Sequence, residues 1–199
     1  FGQVSTDIGG RTGPNRMFGY RVNALAGQGE AFRSDSDLKR RLFSVAGDVR
    51  PFARTTIEGL YSHYHVEQRG FPGWFTFGRS NATAPFVMLP ARAPDPATPG
   101  FGQPQSGLDL ETRITQGRVK HDFSSAWHLT AGVQFQQVDR DISTQVMALQ
   151  NNEGSYIASL ASGFAPRFTV LGHLTSLNGH VTTGTLDHTV AFGVTGYEF

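Results

Sequence analysis

The stretch Trp127-His128-Leu129-Thr130-Ala131-Gly132-Val133-Gln134-Phe135-Gln136 carries the fold assignment of this chain. Trp127, Leu129, Ala131, Val133 and Phe135 alternate with His128, Thr130, Gly132, Gln134 and Gln136. In an extended chain successive side chains leave opposite faces, so this period of two builds one apolar and one polar face. Val190, Phe192 and Val194 repeat it against Thr189, Gly193 and Thr195.

Working outward, the same pattern predicts strands over residues 3–11, 17–33, 38–50, 55–67, 111–123, 127–141, 164–182 and 186–199. Gly13-Pro14-Asn15, Arg50-Pro51-Phe52-Ala53-Arg54, Ser124-Ser125-Ala126 and Thr182-Thr183-Gly184-Thr185 are tight turns. They fall after the first, third, fifth and seventh strands. The long links, 68–110 and 142–163, both fall after even strands. Short turns at one end of a sheet and long loops at the other are the layout of an outer-membrane β-barrel. A compact soluble domain rarely carries a structureless loop as long as 68–110.

The 199 residues are 38% hydrophobic and 17% charged, with 24 glycines and a formal net charge of +1. That balance gives no reason to expect nucleic-acid binding. The absence of cysteine removes disulfides and thiolate metal sites. Mean hydropathy is slightly negative, and no run of about 18 apolar residues exists to cross a bilayer as a helix. Neither fact bears on a barrel, whose strands give lipid only every second residue. A crossing strand needs about 9–11 residues; these are longer, so their ends are expected to project outside the membrane. The chain opens at Phe1-Gly2-Gln3 in or beside a strand, and we expect it to be part of a longer protein.

Several segments resemble TonB-dependent siderophore receptors: Asp7-Ile8-Gly9-Gly10-Arg11, Phe18-Gly19-Tyr20-Arg21-Val22-Asn23 and Arg69-Gly70-Phe71-Pro72-Gly73. Asn152-Glu153-Gly154, Phe164-Ala165-Pro166-Arg167-Phe168, Leu177-Asn178-Gly179-His180 and the stretch from His188 to Tyr197 follow in the same order. The resemblance covers nearly the whole chain. It implies an all-β, antiparallel transmembrane β-barrel that is partial here, about eight strands of a barrel of about 22. It also implies the Gram-negative outer membrane, outer-membrane lipid and a ferric siderophore as partners, and no enzymatic role. Residues 1–199 would be part of the barrel domain, from its N-terminal half. The plug domain, the TonB-contacting box and the remaining strands would lie outside this chain. No cofactor is expected.

Arg69, Phe71, Trp74, Phe75 and Phe77, in the first long link, are candidate ligand contacts. Exposed rings and an arginine offer contact area and a counter-charge to a bulky chelate. The bland reading is packing of the loop or an aromatic girdle. Arg21, Asp48, Arg50, Glu58, Lys120 and Asp122 are expected to face the lumen, as paired charges or a wetted wall. His63 and His65 share a strand face; we read them as a neutral pair in the extracellular wall rather than a metal site. No nucleophile elbow, phosphate loop or other catalytic constellation is present.

Two other architectures fit parts of the pattern. One is a complete eight-stranded outer-membrane barrel with a structural or adhesive role, suggested by Tyr197-Glu198-Phe199. The other is a soluble β-sandwich, in which Tyr20, Phe43, Tyr61, Trp127 and Phe192 would meet in one core.

Overall fold

The computed structural model describes all residues except 71–72, 79–82, 84–85, 89–90, 93–94, 96–97, 99–102 and 164–165. Ten strands form one sheet: β1 (Gly2–Thr12), β2 (Phe18–Gly29), β3 (Asp37–Phe52), β4 (Thr55–Arg69), β5 (Trp74–Thr76), β6 (Gly107–Asp122), β7 (Trp127–Leu149), β8 (Tyr156–Gly163), β9 (Arg167–Thr183) and β10 (Leu186–Glu198). Eight of them follow one antiparallel path, β1-β2-β3-β4-β6-β7-β9-β10. Two-residue turns, Ala53-Arg54 and Gly184-Thr185, leave no room for a crossover between β3 and β4 or between β9 and β10.

The sheet is open, since β1 and β10 are not paired with each other. A complete eight-stranded barrel needs that pairing, so that alternative is set aside. The sandwich fails as well. Val87 and Met147 are the buried hydrophobic residues among those described, while Phe43, Val133, Phe135, Phe192 and Val194 are exposed. The accessible surface is 13296 Å², against about 9,200 Å² for a compact soluble monomer of this mass. A single layer with one apolar face is what lipid, rather than a second sheet, would cover.

The register sorts every strand residue to a face. On β3, Phe43, Val45, Gly47 and Val49 pair on β4 with His63, Tyr61, Gly59 and Ile57. Tyr61 and Ile57 pair onward with Thr115 and Val119 of β6, and these with Phe135 and Ala131 of β7. This apolar set is the exterior. Pro51 to Phe43 spans about 26 Å along the strand, enough once tilted for most of an apolar band roughly 25 Å tall. The alternate residues, including Arg21, Asp48, Glu58, Arg118 and Lys120, form the interior face.

The wall strands agree with the sequence expectation to within a few residues, but both long links hold more order than expected. β4 and β6 stay paired as far as Arg69 and Gly107, so the first link is shorter. β7 does not stop at 141. It runs on to Leu149, forms a hairpin with β8 and takes β5 in parallel alongside Val146, Met147 and Ala148. The eight residues from Ile142 to Leu149 escape detection because both phases there are largely apolar or small. This extension is covered on both faces, so no polar stripe marks it.

Candidate functional site

Two regions hold most of the residues singled out from the sequence. The first is the flap β5-β7-β8, at the long-link end of the sheet. Trp74, Phe75 and Thr76 make up β5. Gly73 leads into it with φ +72°, and a Cβ there would stand 1.6 Å from the Gln145 carbonyl oxygen. Only glycine permits that approach. Phe75 lies beside Met147 in register and meets Tyr156 edge to face, centroids 6.3 Å apart. Trp74 and Phe77 are half-exposed, at 52% and 55%. The Gln103 amide donates to Gln145 Oε1, and the Met88 amide donates to Asn152 Oδ1. These bonds tie the first link to the flap. Phe71 lies outside the described residues.

Arg69 is not gathered into this aromatic cluster. Its Nε donates to Glu67 Oε1 at 3.0 Å, and Nη2 lies 3.8 Å from Asp109 Oδ2. It belongs to an ionic network on the exterior face just above the apolar band. His63 Nε2 pairs with Glu111 Oε1 and His65 Nε2 with Asp109 Oδ1, each at 2.8 Å. Arg113 pairs with Glu111, and Asp139 accepts from Arg167 at 2.6 Å. The two histidines are therefore each engaged by a different carboxylate. No cluster suited to a metal occurs among the described residues.

The second region is the turn-end half of the interior face. Arg11 grips Asp48 through two hydrogen bonds of 2.9 and 2.6 Å, a bidentate pair. The pair spans β2, because Arg11 and Asp48 flank Gly19 from either side. A Cβ on Gly19 would stand 2.1 Å from Asp48 Oδ1 and 2.6 Å from Arg11 Nη1. Glycine here keeps the gap open. Arg21 binds Asp7 with bonds of 2.9 and 2.5 Å. Glu58 accepts from Arg118 at 2.6 Å and Lys120 at 2.7 Å. Arg50 is 3.9 Å from Asp48, and Asp122 is 2.6 Å from His128. A depression of about 350 Å³ lies among Arg11, Gly19, Arg21, Asp48, Glu58 and Arg118.

Arg21, Asp48, Arg50, Glu58, Lys120 and Asp122 lie on one face of the sheet; the first five each have an opposite charge within 4 Å, and Asp122 has the His128 ring. Sequence reasoning missed the partners Asp7, Arg11 and Arg118. Period two places Arg118 in phase with Lys120, but only the register brings it opposite Glu58.

No protein-family model matches the chain. It is similar to the ferrichrome receptor FcuA of Yersinia enterocolitica, 26% identical over 190 residues, covering 94% of this chain and 23% of that protein. Among solved structures, the ferric preacinetobactin receptor BauA of Acinetobacter baumannii superposes with a TM-score of 0.81 at 18% identity, over 98% of this chain and 28% of BauA. The open form of the ferric-catecholate import receptor Fiu of E. coli K12 gives 0.79 at 15% identity, over 98% and 31%. The outer-membrane ferripyoverdine receptor of Pseudomonas aeruginosa, bound to ferripyoverdine, gives 0.75 at 12% identity, over 98% and 25%. In sequence and in fold the chain is thus similar to siderophore receptors of the outer membrane. It spans about a quarter of the length of these relatives. The chain is a section of outer-membrane β-barrel.

Proposed function

We propose that this chain is part of the wall and entrance of a TonB-dependent receptor that carries ferric siderophores across the outer membrane. The observation that carries this reading is the open sheet itself. It has an apolar exterior, an ion-paired interior and an extracellular flap, and 98% of it superposes on siderophore receptors. The relative named as a ferrichrome receptor supports the same reading. In this reading the remaining strands close the barrel at the β1 and β10 edges. The plug domain seats against the interior depression, where paired charges give a polar but neutralised surface. The TonB complex acts on the plug. Trp74, Phe75 and Phe77 stand at the mouth, where the ligand arrives.

The test uses the complete gene. Its deletion is expected to abolish uptake of iron supplied as the cognate siderophore under iron limitation, and a tonB deletion is expected to do the same. Unimpaired uptake in the first strain would refute the receptor assignment; unimpaired uptake in the second would refute TonB dependence.

A further inference from the structure

The extracellular half of the interior face carries charge of one sign. Arg40 on β3, Val66 on β4, Leu110 on β6 and Arg140 on β7 are successive ladder partners. Three strand spacings of about 4.8 Å place the two arginine backbones about 14 Å apart. Between them lies an apolar floor of Val66 and Leu110, flanked by Tyr64 and Thr112. On β2, β3, β4, β6, β7 and β9, no Asp or Glu occupies an interior position between Asp48 or Glu58 and the loop end. Neither Arg40 nor Arg140 forms an ion pair with any described carboxylate, whereas the interior cations Arg11, Arg21, Arg118 and Lys120 below them all do.

Each of the two upper cations is instead held by an aromatic ring. Arg40 Cζ lies 4.8 Å from the Phe1 ring centroid, and Arg140 Cζ lies 5.6 Å from that of Phe168. Arg40 also donates to Gln3 Oε1 at 3.2 Å, while its buried Nε has no partner. Stacking holds a guanidinium in place without neutralising its charge, so it still attracts planar anionic oxygens. Along this section of the interior, the cations of the lower half are paired with carboxylates, while the two cations of the upper half have none among the described residues and stand ready to receive an anion.

We infer that this surface selects a polyanionic iron chelate, with catecholate or carboxylate donors, over an uncharged one. The inference rests on the receptor reading above and refines it to a charge class. It also separates this chain from the ferrichrome specificity in the name of its relative, since ferric tris-hydroxamates of that kind carry no net charge.

The complete receptor, purified in detergent, tests this by tryptophan fluorescence titration with three probes. These are a trianionic ferric tris-catecholate, a ferric hydroxycarboxylate and an uncharged ferric tris-hydroxamate. One or both anionic probes are expected to bind at least about tenfold more tightly than the uncharged one, and to weaken as salt rises. Which of the two binds identifies the donor chemistry. Arg40→Gln with Arg140→Gln is expected to erase most of that preference, while Arg40→Lys with Arg140→Lys keeps about half of it on a logarithmic scale. Equal or tighter binding of the tris-hydroxamate overturns the charge-class inference and leaves the receptor reading standing. Unchanged anion affinity in the double glutamine variant, with a lowered melting temperature, assigns the two cations to another segment of the same protein and also overturns it. Binding of none of the three, together with intact iron uptake in the deletion strain, brings down the receptor reading itself and the inference with it.

Discussion

On the exterior face charge is kept out of a band running from Pro51 to Phe43 on β3 and gathers above it, from Arg41 upward. On the interior face the lower half, around Asp48, Glu58 and Lys120, carries charges of both signs that are cancelled by ion pairs, and the upper half carries Arg40 and Arg140 without a carboxylate partner among the described residues. The same strands supply both patterns, so neighbouring residues meet different solvents. Val45 points to lipid between Val22 and Tyr61. Ala46, the next residue, lines the wet depression beside Asp48 and Glu58. The difference teaches where the sequence is constrained. The exterior restricts polarity at each position independently, whereas the interior restricts combinations of charges across strands.

The largest effect expected from this contrast comes from one substitution made at two adjacent positions. Val45→Lys is expected to destabilise the complete barrel by about 2–4 kcal/mol, the cost of a cation near the bilayer midplane. Ala46→Lys is expected to cost less than about 1 kcal/mol, because water and two carboxylates are within reach. Urea unfolding of the receptor in lipid vesicles measures both. Equal costs at the two sites would show that the face assignment on β3 is wrong.

The wall was legible because period two is written residue by residue; Val133, Phe135, Phe192 and Val194 announce their face without any partner. The interior charges were legible as a set for the same reason. Their pairing was not, because it depends on register, and register is fixed by turn length across strands rather than by any local pattern. Arg11 and Asp48 are 37 residues apart in sequence and meet only because Gly19 between them has no side chain. The flap was illegible for a third reason. From Ile142 to Leu149 both phases carry apolar or small residues, and Thr144 on one face and Gln145 and Met147 on the other are all buried. Alternation reports a difference in environment between faces, and there the difference disappears. His63 and His65 show the same limit: sharing a face was readable, but engagement by Glu111 and Asp109 needed the neighbouring strand.

A smaller effect probes the combinations on the interior face. Gly19→Val places atoms where the Arg11–Asp48 pair now lies, so the pair must open. We expect a loss of stability smaller than that of Val45→Lys, because the pair is partly exposed to water. The loss should shrink in a background already carrying Arg11→Gln and Asp48→Asn, since the space is then contested by flexible neutral groups. A double-mutant cycle on unfolding free energy reads the coupling directly. Additive effects would mean that Gly19 serves backbone geometry rather than the pair above it.

The smallest effect separates the flap from the wall on which it stands. β5 contributes three residues, and its side-chain anchorage runs through Phe75 to Tyr156 and Met147. An edge-to-face ring pair is worth about 0.5–1.5 kcal/mol beyond burial, and the segment β5-β7-β8 stands outside the ladder that holds β6, β7 and β9 together. Phe75→Ala should therefore loosen the flap without touching the barrel. Limited proteolysis of the receptor in vesicles should show faster cleavage between Leu149 and Arg167, with the urea midpoint of the barrel unchanged. Phe75→Leu, which keeps apolar contact with Met147 but loses the ring, should fall between wild type and alanine. If Phe75→Ala instead lowered the urea midpoint as much as Gly19→Val does, the extracellular extension of β7 would belong to the cooperative unit of the wall. The contrast between a rigid ion-paired interior below and an independently opening flap above would then fail.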